Sequence, residues 1–361
     1  MPENNQSLIF APSKVDIHHQ KIQAYLDGEA IYPTTIEMDL TQLCSRACPG
    51  CPYGSVRKAG LTLQMPFLNR LFSVLGPHTP GIVFSGGEPT IVPHLPKALA
   101  LAREKGFEEI AVISNGANIH LPHIQEALLE YATSIRISMY EWQEKDSEHF
   151  VITLKKIEGL RKKIETEGSR LEIGASVLTR AEWNERYVHV GLRALDSGIH
   201  WLYFHPYCIN WDSRYPTQAD QTGVMEAIEK LREAAPSDAN IQVPFARYDK
   251  KALYFEKLHG AHFLIQVGAD GVNYAGPECK YEEDASLLDL NHYLEDDFLW
   301  HPQRVSRLNT INSTNYRFIG TKHRPPMFSH YIQELIEKSR SKKNVENAVE
   351  SPLNFAYPNI I

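Results

Sequence analysis

The stretch Met38-Asp-Leu-Thr-Gln-Leu-Cys44-Ser-Arg-Ala-Cys48-Pro-Gly-Cys51-Pro-Tyr-Gly54 places three cysteines in a C-x3-C-x2-C pattern. A loop of this length can turn three thiolates toward one point, and sulfur ligands suit zinc or iron–sulfur clusters rather than magnesium or calcium. A structural zinc site normally has four protein ligands, whereas a catalytic centre keeps one position open for substrate. Three sulfurs therefore indicate a metal centre whose remaining position takes part in chemistry.

Outward from this stretch, short apolar runs alternate with longer segments of helical character. The apolar runs predict strands at 35–40, 81–85, 109–114, 134–138, 171–178 and 200–204. Apolar residues at helical spacing predict helices at 61–75, 95–105, 121–131, 145–167, 182–197 and 223–233. The chain therefore contains six consecutive strand-then-helix units.

This alternation predicts the fold class, because strands separated by helices pair in parallel through right-handed crossovers. Six such units predict an α/β chain with a partial (β/α)6 TIM-like barrel. Ligands bind such folds at the carboxyl ends of the strands. Polar residues fall at those ends in the cysteine loop, in Gly86-Gly-Glu-Pro89, in Ser114-Asn115, at Ser138 and in His205-Pro-Tyr-Cys208. We therefore expect the active site at this edge of the sheet.

Three regions are predicted along the chain. They are an N-terminal arm and helix at 1–33, the barrel core at 34–235, and a smaller α+β C-terminal extension at 236–361 that closes the substrate site. Residues 16–27 and 328–338 have the apolar spacing of helices. In the extension, Asp270-Gly271 predicts the turn of a β-hairpin, because such pairs tolerate positive φ values.

The composition is that of an ordinary globular chain, with 361 residues, 43% of them hydrophobic, and a formal net charge of −7. No apolar run approaches the roughly 18 residues that a membrane helix needs. Five cysteines, three of them in one loop, make a poor disulfide framework and favour a reducing, cytoplasmic location. The negative charge makes nucleic acid an unlikely partner and favours small molecules, peptides or a carrier protein.

The cysteine motif and the Gly86-Gly-Glu-Pro89 motif together resemble the signature of the radical S-adenosylmethionine (radical SAM) superfamily. That signature is C-x3-C-x2-C after the first strand and a Gly-Gly-Glu-Pro motif after the second, and the resemblance spans roughly residues 34–210. It implies one [4Fe–4S] cluster held by three thiolates, with S-adenosylmethionine on the fourth iron. It also implies reductive cleavage to a 5′-deoxyadenosyl radical, which abstracts hydrogen from substrate.

The resemblance implies roles for particular residues. The cluster ligands correspond to Cys44, Cys48 and Cys51, and the loop that receives the methionine amino group corresponds to Gly86, Gly87 and Glu88. Two glycines let the backbone approach a ligand closely, because no Cβ intervenes.

Further cofactor contacts are implied at the ends of the third and fourth strands. Ser114, Asn115 and Ser138 correspond to positions that bind ribose or the methionine carboxylate. One position departs from the family pattern, because Gly50 replaces the residue before the third cysteine that is commonly aromatic and lies by the adenine. Tyr53 is the candidate that supplies the missing aromatic face.

His205, Tyr207 and Cys208 follow the sixth strand and are candidate substrate-facing residues. The segment ending at Cys279 resembles a reduced form of the SPASM or twitch extension, which carries auxiliary clusters in many relatives. Two cysteines outside the first loop cannot complete a four-cysteine cluster, so a single cluster is predicted. The Cys208 thiol is instead a candidate hydrogen-atom donor to a product radical, whereas a lone cysteine is more often a small buried hydrophobe.

Several functions remain open from the residues alone. The favoured one is hydrogen abstraction from a small metabolite or natural-product precursor, such as a sugar or nucleoside, with an electron donor such as flavodoxin or ferredoxin. The alternatives are modification of a ribosomal peptide and radical methylation of RNA. A different class is a catalytically silent iron–sulfur or regulatory module. The three thiols also fit a zinc knuckle completed by a histidine, but that reading leaves Gly86-Gly-Glu-Pro89 unexplained.

Overall fold

A computed structural model of the chain describes residues 11–48, 51, 59–140, 147–180, 185–208, 221–249, 251–341 and 355–361. Within these ranges the strands are β1 (Thr35–Thr41), β2 (Gly81–Gly86), β3 (Glu109–Ser114), β4 (Ser134–Ser138), β5 (Glu172–Thr179), β6 (Trp201–Pro206), β7 (Ile241–Gln242), β8 (Leu264–Val267), β9 (Val272–Tyr274) and β10 (Ser286–Asp289). The six strands predicted for the barrel are all present.

The α-helices of the described residues follow the predicted rhythm. They are α1 (His19–Leu26), α2 (Met65–Leu75), α3 (Leu95–Glu104), α4 (Pro122–Tyr131), α5 (Glu148–Glu167), α6 (Tyr187–Asp196), α7 (Gln221–Ala234), α8 (Leu290–Tyr293), α9 (Pro302–Thr310) and α10 (Arg324–Ser341). Short 3-10 turns supplement them, and one at Pro12–His18 forms the first part of the predicted helix at 16–27. No helix among the described residues is both long enough and apolar enough to span a bilayer.

One predicted helix begins later than expected. The sequence predicts a helix from residue 61, but α2 begins at Met65. The backbone before it pairs with the end of β1 instead, because Thr62 bridges Thr41 and the Leu63 N–H donates to the Leu40 carbonyl over 3.0 Å. Tertiary pairing therefore overrides the helical spacing of these residues.

All described strands belong to one sheet in the order β10-β9-β8-β1-β2-β3-β4-β5-β6-β7. The pairs from β1 to β7 are parallel, β8 adds in parallel to the other edge of β1, and β9 and β10 follow in antiparallel pairing. Residues of β1 through β6 line a single cavity, so the sheet curves around it. The predicted α/β class and partial (β/α)6 barrel are confirmed.

Helices cover the outer face of the sheet with their apolar sides. On α2, for example, Leu68, Leu71, Phe72 and Leu75 are fully buried in the main core. Helix α5 has clear end signals, since the Ser147 side chain accepts from the Phe150 N–H at its start and Gly168, with φ of +64°, ends it.

The predicted hairpin of the C-terminal region is confirmed between β8 and β9. Gly271 takes a φ of +79°, and the Asp270 carboxylate accepts from the Val272 N–H at 3.1 Å and the Tyr274 hydroxyl at 2.7 Å. Because β8 pairs directly with β1, this region continues the barrel sheet. The region boundaries at 33 and 235 stay predictions.

Residues 355–361 lie against the amino ends of the barrel strands. Their hydrogen-bond partners include the first residue of each of four strands: Thr35, Glu109, Glu172 and Trp201. The Asn359 carbonyl accepts from the Thr35 hydroxyl at 2.6 Å, and Tyr357 donates to the Glu172 carboxylate. This segment therefore covers the end of the barrel opposite the cysteine loop.

Candidate active site

A cavity of about 330 Å³ extends from the carboxyl ends of the strands into the barrel interior. Most of the residues singled out from the sequence line it: Cys44, Cys48, Cys51, Gly86, Gly87, Ser114, Asn115, Ser138, His205, Tyr207 and Cys208. Glu88 is not among the lining residues, and Tyr53 and Gly50 lie outside the described residues. The site residues predicted at separate strand ends are thus brought to one place.

The cysteine loop is positioned by hydrogen bonds to its backbone and sulfurs. The Cys44 Sγ lies 3.4 Å from the Arg46 N–H and 3.7 Å from Asn115 Nδ2, both donors to it. The Cys51 N–H donates to the Cys48 carbonyl at 3.3 Å. Donors of this kind stabilise a thiolate. Within the described ranges, no three Cys, His or carboxylate side chains stand close enough to enclose a metal ion without movement.

The glycines of the β2 loop are required by the backbone that leads into the cysteines. Gly86 has a φ of +119°, and a Cβ there would lie 2.5 Å from the Thr41 carbonyl oxygen. A Cβ at Gly87 would overlap the Leu43 carbonyl oxygen. The Gly87 N–H donates to the Thr41 carbonyl at 2.7 Å, so the two loops are fastened backbone to backbone. The glycine pair thus lets the two loops pack backbone to backbone.

Glu88 holds the end of β3 in place. Its side chain is fully buried, and its carboxylate accepts from the Thr90 hydroxyl at 2.6 Å, the Ser114 hydroxyl at 2.8 Å and the Asn115 N–H at 2.5 Å. Glu88 and Ser114, both predicted to bind the cofactor, therefore bind each other in this structure. Their direct contact with a cofactor stays a prediction.

Asn115 faces the cysteine loop from the end of β3. Its Nδ2 donates to the Ser45 hydroxyl at 3.1 Å in addition to the contact with Cys44, and its Oδ1 accepts from the Ala117 N–H at 2.8 Å. Ser138 lies at the end of β4 on the cavity wall. The two residues border the mouth of the cavity beside the sulfurs.

The deeper wall carries charged residues that the sequence reasoning missed. Arg136 on β4, Arg247 after β7, and Glu278 and His323 in the C-terminal region all line the cavity. A charge inside an otherwise apolar strand, as in Ile135-Arg136-Ile137, is the signal that identifies an inward-facing polar residue. No comparable periodic signal marks Arg247 or His323, which lie in irregular segments.

Ion pairs connect the C-terminal region to the inner face of β1. Lys280 Nζ lies 2.5 Å from Asp39 Oδ1 and 3.6 Å from Glu37 Oε1, and Arg324 pairs with the other oxygen of Glu37. The Tyr281 hydroxyl donates to Asp39 at 2.8 Å. Both carboxylates of β1 are therefore neutralised by residues more than 240 positions away.

His205 and Cys208 sit in a desolvated part of the cavity. Burial, reinforced by Arg247, Arg136 and His323, holds the pKa of His205 well below its usual range, so the ring is neutral. Burial raises the pKa of the Cys208 thiol, which therefore keeps its proton. Tyr207 stacks under the Arg180 guanidinium, whose carbon lies 5.1 Å from the ring centre. Cys279 is fully buried in the C-terminal core, where its Sγ contacts the Gly276 carbonyl.

The sequence was compared with protein-family models and curated proteins. No family model matches the chain. Over 105 residues it is 34% identical to 7,8-dihydro-6-hydroxymethylpterin dimethyltransferase of Methanocaldococcus jannaschii, a match that covers 26% of this chain and 21% of the relative. The chain thus matches about a fifth of that protein's length.

Solved structures resemble the fold over most of the chain. Streptococcus suis SuiB bound to its precursor peptide SuiA has a TM-score of 0.62 at 13% identity, covering 98% of this chain and 82% of SuiB. The anSMEcpe structure with bound AdoMet has a TM-score of 0.56 at 12% identity, covering 89% of this chain and 97% of that one. The second of these was solved with AdoMet bound. The chain therefore shares the fold of both proteins, in agreement with the α/β barrel predicted from the sequence.

Proposed function

We propose that this chain is a radical SAM enzyme that abstracts a hydrogen atom from a substrate bound in the barrel cavity. The observation that carries the proposal is that Cys44, Cys48 and Cys51 line the same cavity as the Gly86-Gly87 loop, at the carboxyl edge of a radical SAM fold. When bound, the [4Fe–4S] cluster and S-adenosylmethionine supply a 5′-deoxyadenosyl radical by reductive cleavage.

The residues present fit this cofactor pair. Three sulfurs close together in sequence, those of Cys44, Cys48 and Cys51, line the cavity at its mouth, and Cys44 already accepts hydrogen bonds of the kind that stabilise a thiolate. The Gly86-Gly87 backbone lines the cavity beside the cysteine loop, and the glycines let the two loops pack closely together. Asn115 and Ser138 border the same mouth and offer polar groups for ribose or carboxylate.

The favoured substrate class is a small metabolite or natural-product precursor, such as a sugar or nucleoside. A cavity of about 330 Å³ whose far end is covered by residues 355–361 suits a compact molecule. Modification of a ribosomal peptide is the second candidate, because SuiB resembles this fold while bound to a precursor peptide. An electron donor such as flavodoxin or ferredoxin would serve either reaction.

The proposal is tested by anaerobic reconstitution with iron and sulfide, followed by S-adenosylmethionine and dithionite. We expect about four irons per chain and formation of 5′-deoxyadenosine. Cys48→Ala is the matched control and should lose both iron and product. Product at the level of this control would indicate a silent module, and bound zinc without charge-transfer absorption would indicate a zinc protein.

Cys208 is the proposed hydrogen-atom donor to the product radical. Its buried, protonated thiol lines the cavity, so its S–H bond can break as a C–H bond forms on the product. The thiyl radical left behind then needs one electron and one proton from the external reductant. In deuterated water, wild type should place one solvent deuterium in the product and Cys208→Ala should not. Equal incorporation by both would exclude this role.

A further inference from the structure

The charged side chains that line the cavity are predominantly basic. Among the described residues, five cationic side chains and two carboxylates form its wall: Arg46, Arg136, Arg247, Lys322 and Arg324, with Glu37 and Glu278. Glu37 is already paired with Arg324 and Lys280. The wall therefore carries positive charge that its own carboxylates do not neutralise.

Two of these arginines lack a carboxylate partner in the part of the chain that is described. Arg136 makes no ion pair with any described residue, and its buried Nε finds no hydrogen-bond acceptor among them. Arg247 is 9% exposed, and its Nε is also without an acceptor. It also contacts neutral groups, the Thr321 carbonyl at 3.2 Å and His205 Nδ1 at 3.5 Å, and acts on Glu278, whose pKa burial raises to about 7. A buried guanidinium beside a carboxyl group that stays protonated up to about pH 7 is costly, which makes an anion at this place favourable.

The two guanidinium groups face a common region. Arg136, Arg247, His205 and His323 line the same cavity, and Arg247 lies 3.5 Å from His205 Nδ1. These residues come from β4, β6, the turn after β7, and the segment before α10. Their convergence gives a pocket with two guanidinium groups and two neutral imidazoles. These groups can donate hydrogen bonds to a planar or tetrahedral oxyanion.

This pocket lies deeper than the loop proposed for S-adenosylmethionine. Arg136 precedes Ser138 by two residues on β4, which places its Cα about 7 Å further from the carboxyl edge. The cysteine loop, Gly87 and Asn115 all lie at or beyond that edge. The Arg136 Cα therefore lies below the cofactor groups at the mouth, whereas Arg247 follows the carboxyl end of β7 and approaches the same cavity from the side of His205.

We propose that Arg136 and Arg247 bind an anionic group, a carboxylate or a phosphate, of the substrate in the deep part of the cavity. The identification of this anion with the substrate rests on the proposed function. Binding of the anion itself rests on the two unpaired guanidinium groups alone. Bidentate contacts from arginine would fix the orientation of the substrate toward the cysteine loop.

The direct test is ligand-observed NMR titration of the protein with matched charged and neutral probes. Succinate is compared with succinamide for the carboxylate arm, and glycerol 3-phosphate with glycerol for the phosphate arm. We expect the charged member of at least one pair to bind wild type at least tenfold more tightly, and the stronger pair identifies the source of the anion. Equal binding of charged and neutral members in both pairs would overturn the proposal.

Arginine substitutions show where the charged probe binds. Arg136→Gln and Arg247→Gln should each weaken the charged probe at least tenfold. Arg232→Gln removes the same charge from α7, where the arginine pairs with Glu229, and should leave binding unchanged. A loss of the same size in Arg232→Gln would show a general charge effect and reject the site. Thermal unfolding of each variant confirms that it is folded, and the wild-type probe pairs decide the question for any variant that is not.

The cofactor is tested separately. Reconstituted Arg136→Gln should bind S-adenosylmethionine as wild type does, because the arginine lies below the mouth. Weakening of S-adenosylmethionine to the same extent as the probe would assign the arginine to the cofactor and overturn the proposal. Failure of wild type to form 5′-deoxyadenosine would reject the proposed function but leave arginine-dependent anion binding standing.

Discussion

Glu278 is a carboxyl group buried in the cavity wall, where it is 4% exposed. One of its oxygens accepts from the Tyr316 hydroxyl, and its Oε2 accepts no hydrogen bond from the part of the chain that is described. Burial raises its pKa to about 7, against smaller opposing effects of Tyr316, Arg247 and Lys280. At neutral pH this side chain therefore exchanges a proton readily and changes the charge beside Arg247.

The raised pKa makes the stability of the protein depend on pH. Between the ordinary carboxyl pKa of 4.5 and about 7, the folded state holds a proton that the unfolded state has lost, so stability falls as pH rises through this window. The Glu278 contribution should amount to about 3 kcal/mol at most. Buried histidines such as His205, whose pKa is lowered, change stability with the opposite sign in both proteins. In urea unfolding from pH 5 to pH 8, the stability of wild type relative to Glu278→Gln should therefore fall as pH rises.

The exposed outer face of α4 supplies a control for this prediction. Glu126→Gln removes a carboxyl group there and should retain the pH dependence of wild type. Identical pH profiles for wild type and Glu278→Gln would contradict the raised pKa.

At the scale of elements, the site is made by two loops that backbone hydrogen bonds join to each other. The loop after β2 donates its Gly87 and Glu88 N–H groups to the Thr41 and Leu43 carbonyls, immediately before Cys44. Glu88 then fastens the end of β3 to the same loop. Three consecutive strand ends are thus positioned as one unit, and the place of Cys44 depends on a glycine 43 residues away in the sequence.

Gly87→Ala should disrupt this unit. The new Cβ would overlap the Leu43 carbonyl and lie 2.6 Å from that of Gln42, and backbone atoms cannot yield as a flexible side chain does. We expect a loss of roughly 2–4 kcal/mol in unfolding free energy. Iron retained per chain after anaerobic reconstitution should fall with it.

An alanine substitution in open space provides the comparison. Gly159 lies on the exposed face of α5 with nothing within 4 Å of an added Cβ, so Gly159→Ala should stabilise the helix by about 0.5–1 kcal/mol. Iron content should not change in this variant. Wild-type stability and iron content in Gly87→Ala would show that the two loops are not coupled.

At the scale of the whole molecule, distant parts of the chain meet inside one barrel. Strand β8 extends the sheet beside β1, and Lys280 reaches Asp39 from the C-terminal region with both side chains almost completely buried. Lys14, near the start of the described chain, donates to the carbonyls of Ala356 and Ile360. The barrel and the C-terminal region therefore stabilise each other.

Lys280→Met should reveal this coupling. It leaves the Asp39 carboxylate buried without its cation, which costs roughly 3–5 kcal/mol. The urea midpoints of unfolding measured by tryptophan fluorescence and by circular dichroism should fall together. Arg317→Met removes the half-exposed ion pair with Glu282 and should lower the free energy of unfolding by less than about 1 kcal/mol. Similar costs for the two variants would contradict the structural importance of the buried pair.

The sequence predicts the barrel well because its elements are marked by local patterns. The bounds predicted for β3 and β4 coincide with those observed, since turn residues flank both apolar runs. Interactions across the chain are not encoded locally. The Glu88 to Ser114 hydrogen bond joins residues 26 positions apart. The absence of a partner for Arg136 likewise depends on which side chains the fold brings to it, so the cysteine motif was predictable and the anion pocket was not.

The segment 355–361, which covers the amino ends of the strands, has a consequence for kinetics. With that end covered, reactants enter and leave the cavity past the cysteine loop. Under the proposed function, an anion held at Arg136 lies deeper than the cofactor groups at the mouth, so we expect the substrate to enter before the nucleoside cofactor and to leave after it.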